Sequence, residues 1–352
     1  MGGRFGCVGS DVLSKSGIIS IRTVADRANV STATVSNVLS GKTTVTPMLA
    51  ERVRAVVEEL GYVANGSASR LRSGKQALAG VVVPDLGNPF FGGFVSTLER
   101  EARQDGFDLL VVSSHNDPAQ EAERLHSIRS WRTAGLIVMP CDGGLSARLP
   151  RAGRPPIVCV DRIPDDGGFD LIAVDNAAAA GRVAAHCADQ GFGFCLVVGS
   201  SIAISNIRER WSGIVDAAGP MKVDLFECGL DPAAVRDMLR ERLSAKPRPE
   251  LLFSLDQGTS LVAYQCLGDL GLGGPGGIAF ASFDETEWMR LVTPGVTAVR
   301  QPVAAMAAAA WQRLKQRIAG DTSPPATLRL ACSVQIRSST LRPHGPSRQT
   351  AA

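Results

Sequence analysis

The stretch SIRTVADRANVSTATVSNVLSG, residues 20–41, reads as two short helices joined by a tight turn. Ser20 can accept a hydrogen bond from the free N–H groups that open a helix, and Ile21, Val24, Ala25 and Ala28 then recur at helical spacing. Asn29 falls at the turn, where it tolerates the left-handed backbone. Ser31 can cap a second helix that buries Val35, Val38 and Leu39. Thr32, Ala33, Thr34, Ser36 and Asn37 are left facing out, small and polar near a helix N-terminus. That is the chemistry a recognition helix needs, because its first turn approaches base edges in the major groove. A plain three-helix unit with no ligand has the same pattern, so the flanking sequence has to decide.

Thr46-Pro47 opens a third helix: an N-cap residue followed by proline at the first helical position. Over residues 48–60 Val53, Val56, Val57 and Leu60 share one face, and Gly61 closes it. YVANGSASRLRSGK, residues 62–75, follows, basic and rich in Gly and Ser. Such a segment is a flexible linker on its own. Ala68, Arg70, Leu71 and Arg72 could form about two helical turns if a partner supplied the ordering energy.

Charge is distributed unevenly. The 352 residues carry 37 Lys+Arg and 34 Asp+Glu, for a net charge of +3. Residues 1–75 hold ten basic and five acidic side chains, leaving 27 and 29 for the rest, so the head is basic and the body nearly neutral. This is the asymmetry expected when one end meets phosphates. No apolar run reaches membrane-span length and residues 1–19 lack a signal-peptide core, which places the chain in the cytoplasm with reduced thiols. The eight cysteines are scattered without a CxxC pair and read as small core residues, and four scattered histidines predict no metal site. No GxSxG, HExxH or GxxxxGK motif is present, so no catalytic residues and no cofactor are expected.

From about residue 77 apolar strands alternate with amphipathic stretches. Strands are expected at 79–83, 109–112, 136–139 and 157–160, then at 195–198, 223–226, 251–254 and 278–282, with helices such as 94–104, 120–131 and 232–243 between them. Near-continuous apolar strands separated by helices predict parallel sheets covered on both faces, here as two doubly wound lobes. In such folds ligands bind beyond the carboxyl ends of the strands. Asn88, Phe90 and Phe91, then the Asp161-Arg162 pair, then Asp284, all follow expected strands, and Gln301 follows a further one at 297–300. One phenylalanine of the pair is expected in the core, and an adjacent acid and base in a loop are commonly paired or solvated. A carboxylate beside a guanidinium also suits vicinal hydroxyls.

With these segments in order, the chain resembles LacI/GalR-type transcriptional regulators over residues 20 to about 338, through ATVSNVLSGK, ERVRAVVEELGY, the hinge at 65–71 and GVVVPDLGNPFF. The resemblance implies an all-α helix-turn-helix head at 20–63 and a hinge at 64–76. Behind them would come an α/β periplasmic-binding-protein-like core at 77–338, with the chain crossing between its lobes more than once. Residues 1–19 and 339–352 would be a disordered lead-in and tail. It further implies a homodimeric repressor of sugar or small-metabolite genes that reads double-stranded, pseudo-palindromic operator DNA. The contacts would come from Ser20, Thr32, Ala33, Thr34, Ser36 and Asn37, with Asn65, Ala68, Arg70 and Leu71 in a hinge that folds on the operator. Leu71 would be wedged into the minor groove, trading unstacking for contact. An effector would sit between the lobes against Asn88, Phe90, Phe91, Asp161, Arg162, Arg208, Asp284 and Gln301, with Arg210 anchoring its helix. The chain departs from the pattern at Asn37 and Ser69, where the family usually has arginine, and at Ala64, where it usually has proline. Leu255 stands where an asparagine is common and Phe192 where histidine is common. Asn37 favours adenine where arginine would favour guanine. Two other readings are a solute-binding protein with a non-reading head and a sugar-processing α/β enzyme. The absent export signal and basic head weigh against the first, the missing catalytic constellation against the second.

Overall fold

A computed structural model describes residues 19–40, 44–62, 78–149, 153–274 and 276–342. The chain divides into two compact units, Met1–Gln76 and Ala77–Ala352. In the first, α1 (Ile21–Ala28), α2 (Thr32–Leu39) and α3 (Pro47–Leu60) enclose Val24, Ala25, Ala28, Val35, Val38, Val53 and Val56. The caps form as the residue types dictate. Ser20 accepts from the Thr23 N–H at 3.2 Å and Ser31 from the Thr34 N–H at 3.1 Å. Asn29 (φ 53°) and Gly61 (φ 60°) end their helices in the left-handed region. Two details differ from expectation. Leu39, at the end of α2, is exposed rather than buried. Thr46 makes no side-chain cap bond, and Pro47 behind it has no N–H to satisfy. The hinge residues Asn65, Ala68, Arg70 and Leu71, the departures Ala64 and Ser69, and Cys7 lie outside the described residues.

The second unit holds two sheets of like design. Strands β1 (Leu78–Val83), β2 (Asp108–Ser113), β3 (Leu136–Val138), β4 (Ile157–Val160) and β5 (Asp170–Val174) build one lobe, and β6 (Phe194–Gly199), β7 (Lys222–Glu227), β8 (Leu251–Ser254), β9 (Ala279–Phe283) and β10 (Thr297–Arg300) the other. Two late strands complete them, β11 (Thr327–Leu330) and β12 (Ser333–Gln335), giving the orders β11-β5-β4-β3-β1-β2 and β12-β10-β9-β8-β6-β7. All pairs are parallel except β10 with β12. Helices α4 (Pro89–Gln104), α5 (Pro118–Ser130) and α6 (Leu145–Arg148) connect the first sheet. Around the second lie α7 (Asn176–Asp189), α8 (Ser205–Ala217), α9 (Pro232–Ser244), α10 (Gln257–Asp269) and α11 (Trp288–Leu291). The last helix, α12 (Val303–Ile318), returns to pack on α4 and on β3, β4 and β5. The chain therefore crosses between lobes three times: from β5 to α7, from β10 to α12, and from β11 to β12.

The eight strands read along the body all form, each within one or two residues of its expected ends. β10 forms where it was expected, as the strand before Gln301, but β5, β11 and β12 were not expected: the last two are short, and half-buried to exposed, so no apolar run marks them. Helices α4 and α5 start earlier than expected, at Pro89 and Pro118, because Asn88 and Asp117 cap them, accepting from the Phe90 N–H (2.9 Å) and the Ala119 N–H (2.7 Å). Residues 339–342, expected as part of a disordered tail, are packed. Ser338–Thr340 form a 3-10 turn in which Ser339 donates to the Phe280 carbonyl at 2.6 Å and Thr340 meets the Thr297 hydroxyl at 2.7 Å. Arg342 then lays its guanidinium 4.0 Å from the centre of the Phe192 ring, which gives that departure a packing role. The seven described cysteines are free and buried. Burial pushes the Cys141, Cys187, Cys228 and Cys332 thiols up to about 12, so they stay protonated at neutral pH.

Candidate DNA-reading helix and interlobe cleft

On α2 the first turn is the part left open to a partner. Thr32 and Ala33 are exposed, while Thr34, Ser36 and Asn37 are half-buried at the rim of the head's core. The Thr34 hydroxyl is held 2.9 Å from the Ser31 hydroxyl, and Ser20 is paired in the same way with Thr23 at 3.0 Å. The helix thus presents short, pre-oriented polar groups and no bulk, and helix N-termini of this kind favour phosphate oxygens.

The body holds a cavity of about 1040 Å³ lined by some of the residues expected at strand ends, while Asp161, Arg162, Arg208 and Arg210 are not among its lining residues. Asn88, Phe90, Asp284 and Gln301 line it directly. The helical repeat separates the two phenylalanines of NPFF. Phe90, Gly93 and Thr97 recur on the cavity side of α4, whereas Phe91, Phe94, Leu98 and Ala102 face the core. Phe91 is therefore corrected from a contact residue to a core residue, 4% exposed and edge-on to Phe90 at 5.2 Å.

Asp161 and Asp284 occupy matching places, each directly after the third strand of its sheet order, β4 or β9. Both adopt the left-handed backbone, φ 67° and φ 71°, a conformation that costs energy for any residue but glycine. Asp161 Oδ2 accepts from Asn206 Nδ2 at 2.8 Å across the lobes, and its Oδ1 is buried with no protein partner. Arg162 donates from Nη1 to the carbonyls of Pro140 (3.3 Å) and Cys141 (3.2 Å), and from Nη2 to Asn116 Oδ1 (2.9 Å). Its Nε is buried and unpartnered. Burial lowers the Arg162 guanidinium below its ordinary value, against the pull of the adjacent Asp161. Gln301 donates from Nε2 to Asp284, and its Oε1 is a third buried, unpartnered atom.

The two arginines of IRERWSG, of which Arg208 was expected at the ligand and Arg210 as the helix anchor, differ sharply in burial. Arg208 is exposed and donates to the Ile202 carbonyl of its own loop at 3.1 Å. Arg210, two residues on and so about 200° round α8, is 1% exposed. It donates from Nε to Asn176 Oδ1 (2.9 Å) and from Nη1 to the Leu255 carbonyl (2.7 Å) and Asp284 Oδ2 (3.3 Å). Its guanidinium lies 3.7 Å from the centre of the Phe283 ring. Burial raises the Asp284 carboxyl above its usual range, and Arg210 and Gln301 partly offset this. Leu255 accounts for its own departure: its carbonyl holds Arg210, while its fully buried side chain packs against Gly199. Asp256 has both oxygens engaged by backbone, at Ser200 N (2.7 Å) and Thr259 N (2.9 Å).

Asn116, Asn176 and Asn206, which bond Arg162, Arg210 and Asp161, were not singled out from the sequence, and Arg210 was expected only as a helix anchor. His115-Asn116, with φ 52° and 57° immediately beyond β2, carried the one available signal: a polar pair after an apolar strand. Among the described residues no group of His, Cys, Asp and Glu could hold a metal ion, and no helix is long and apolar enough to cross a membrane.

Residues 20–65 match the model described as bacterial regulatory proteins, lacI family, and residues 76–329 that of periplasmic binding proteins and sugar binding domain of LacI family. The chain is 30% identical over 337 residues to the HTH-type transcriptional regulator PtxS of Pseudomonas aeruginosa, covering 94% of this chain and 98% of that one. It is 29% identical to KdgR of Bacillus subtilis, covering 92% and 98%. Among solved structures, the Lac repressor dimer bound to operator and the anti-inducer ONPF is similar with a TM-score of 0.75 at 20% identity, over 92% of this chain and 100% of that one.

Proposed function

The chain belongs to the LacI family of bacterial regulatory proteins, DNA-binding regulators rather than enzymes, and from that membership we propose that it represses genes for a polyhydroxylated small metabolite. The observation that carries the choice of ligand is a set of four unpartnered buried atoms: Gln301 Oε1 and Thr286 Oγ1 on residues that line the cavity, and Asp161 Oδ1 and Arg162 Nε at the matching strand end of the other lobe. A buried polar atom left unpaired costs about 1–3 kcal/mol, and vicinal hydroxyls can donate to the oxygens and accept from the nitrogen. Asn88 and Phe90 supply an amide and an apolar ring face from the cavity wall. Relatives named as ribose operon repressors support a sugar or sugar-like metabolite. Arg210, rather than Arg208, is the arginine we assign to the ligand.

On the DNA side, two copies related by a two-fold axis would each present Ser20, Thr32, Ala33, Thr34, Ser36 and Asn37 to a half-site, with Asn65, Ala68, Arg70 and Leu71 reaching the minor groove between them. Such a regulator works in the cytoplasm, where the chromosome is. We assign residues 20–63 to reading, 64–76 to the hinge, and the rest, through at least Arg342, to effector binding and dimerisation. Effector occupancy shifts the balance between two lobe arrangements and so the spacing of the hinges.

A gel shift against genomic fragments tests the regulator reading, and the absence of any salt-sensitive sequence preference overturns it. Leu71→Ala weakens operator binding far more than non-specific binding, and an equal loss on both refutes the wedge. A thermal-shift screen of pentoses, hexoses, polyols and nucleobases finds the effector, since ligand at about 100 times its Kd adds about 2.7 kcal/mol to the folded state. Asp161→Ala and Arg162→Ala then each abolish that shift. A hit unaffected by either change places the ligand elsewhere.

A further inference from the structure

Arg210 is tied to the opposite lobe by a path that bypasses the ligand cavity. Its Nε donates to Asn176 Oδ1 at 2.9 Å, and Asn176 Nδ2 donates onward to Glu209 Oε2 at 2.9 Å. Glu209, on α8, receives both terminal nitrogens of Arg329, Nη2 to Oε1 at 2.7 Å and Nη1 to Oε2 at 3.1 Å. Arg329 lies on β11, in the first sheet, and also reaches the Val174 carbonyl at 3.3 Å. Asn176 is fully buried at the β5–α7 crossing, and Arg329 is the next-to-last residue of the chain's last strand in the first lobe. The remaining crossing joins through Gln301, which donates to Asp284, the carboxylate partner of Arg210.

The polarity of this chain is forced. A guanidinium can only donate and a carboxylate can only accept, so Asn176, held between them, has one permitted amide orientation. A bidentate guanidinium–carboxylate pair is the most directional ionic contact available to side chains, so Arg329 fixes the angle as well as the place of Glu209. We propose that Asn176, Glu209 and Arg329 form a cross-lobe strut that positions the Arg210 guanidinium. Lobe movement and the placement of Arg210 against Asp284, which lines the cavity, are then one event. A ligand that engages Arg210 selects a lobe arrangement through β11, and a change in lobe arrangement alters the site without touching the ligand. None of the three strut residues touches the cavity. The functional consequence rests on the reading of the cleft as the effector site, but the strut itself does not.

The test needs no ligand, so its failure is separate from a failure of that reading. In full-length, ligand-free protein labelled with 15N-arginine, the Arg210 Nε proton exchanges slowly because it is buried and bonded to Asn176. Arg329→Met and Glu209→Gln each remove the ion pair while preserving volume, and each is expected to speed that exchange at least tenfold. The Nε protons of Arg148 and Arg317, bonded at 2.7 Å to Glu121 and Asp170 in the first lobe, serve as internal controls and stay within twofold. Unchanged Arg210 exchange in either folded variant overturns the proposal. So does parallel acceleration of all three arginines, which reports general loosening. If only Glu209→Gln accelerates Arg210, the lever is local to α8 and the cross-lobe element is refuted. Two variants severing the same pair keep the test alive should one fail to fold.

Discussion

Arg210→Met is expected to destabilise the body by about 3–5 kcal/mol and to abolish the effector response, because it strands a buried carboxylate. Asp284 sits against Arg210 at 3.3 Å, with the arginine side chain 2% and the aspartate 12% exposed. Burial already lifts the Asp284 carboxyl, and Arg210 is the largest influence pulling it back. Without the guanidinium the carboxyl rises further. A carboxyl whose folded value lies above its unfolded one binds more protons in the folded state. Its contribution to stability is then complete below the unfolded value, about 3.9, and is lost as pH rises through the folded one. The Arg210→Met penalty is accordingly smaller at about pH 5 than at about pH 8. Urea unfolding at both values measures it, and a penalty independent of pH would show that Asp284 keeps its charge by another route. Arg210→Lys rescues little, since one ammonium cannot serve Asn176, the Leu255 carbonyl and Asp284 in the plane a guanidinium provides.

Gly213→Ala is expected to cost about 3 kcal/mol, an unusually large effect for a single methyl group. A Cβ on Gly213 would lie 2.1 Å from the Ala177 carbonyl oxygen and 2.6 Å from its carbonyl carbon. Those are backbone atoms of α7, so no side chain can swing aside. Across the same contact a Cβ on Gly181 would meet the Gly213 carbonyl at 3.0 Å. The two glycines let α7 and α8 approach closely, and α8 carries Asn206 to Asp161, Arg210 to Asp284 and Glu209 to Arg329. Forcing the helices apart therefore lowers the melting temperature and weakens ligand binding together. A variant with wild-type melting behaviour would mean that α8 shifts freely, which the crossing at Gly213 does not allow.

Much of this architecture was legible because it follows from local rules. The head's two helix starts were readable from Ser20 and Ser31 and its ends from Asn29 and Gly61, since caps and left-handed turns act within four residues. The eight central strands were readable because a strand covered on both faces must be apolar throughout. β11 and β12 were not: an edge strand of three or four residues, largely exposed, leaves no run to recognise. The same limit governed the cleft. That Asn88, Asp161, Asp284 and Gln301 stand at strand ends follows from the strand pattern. Which of Phe90 and Phe91 lines the cavity, or which of Arg208 and Arg210 is buried, depends on the rotation of one helix against its neighbours.

The sequence by itself determined a helix-turn-helix head and a two-lobed parallel α/β body, because caps and periodicity are local or additive properties. Only the tertiary structure decided that Arg210 is the buried arginine, that Phe91 belongs to the core, that residues 339–342 are packed, and that Asn176, Glu209 and Arg329 meet across the lobes. Those outcomes depend on residues as far apart as 176 and 329 arriving at one place. Contact at that separation is fixed by how helices and sheets pack, and no spacing along the chain encodes it.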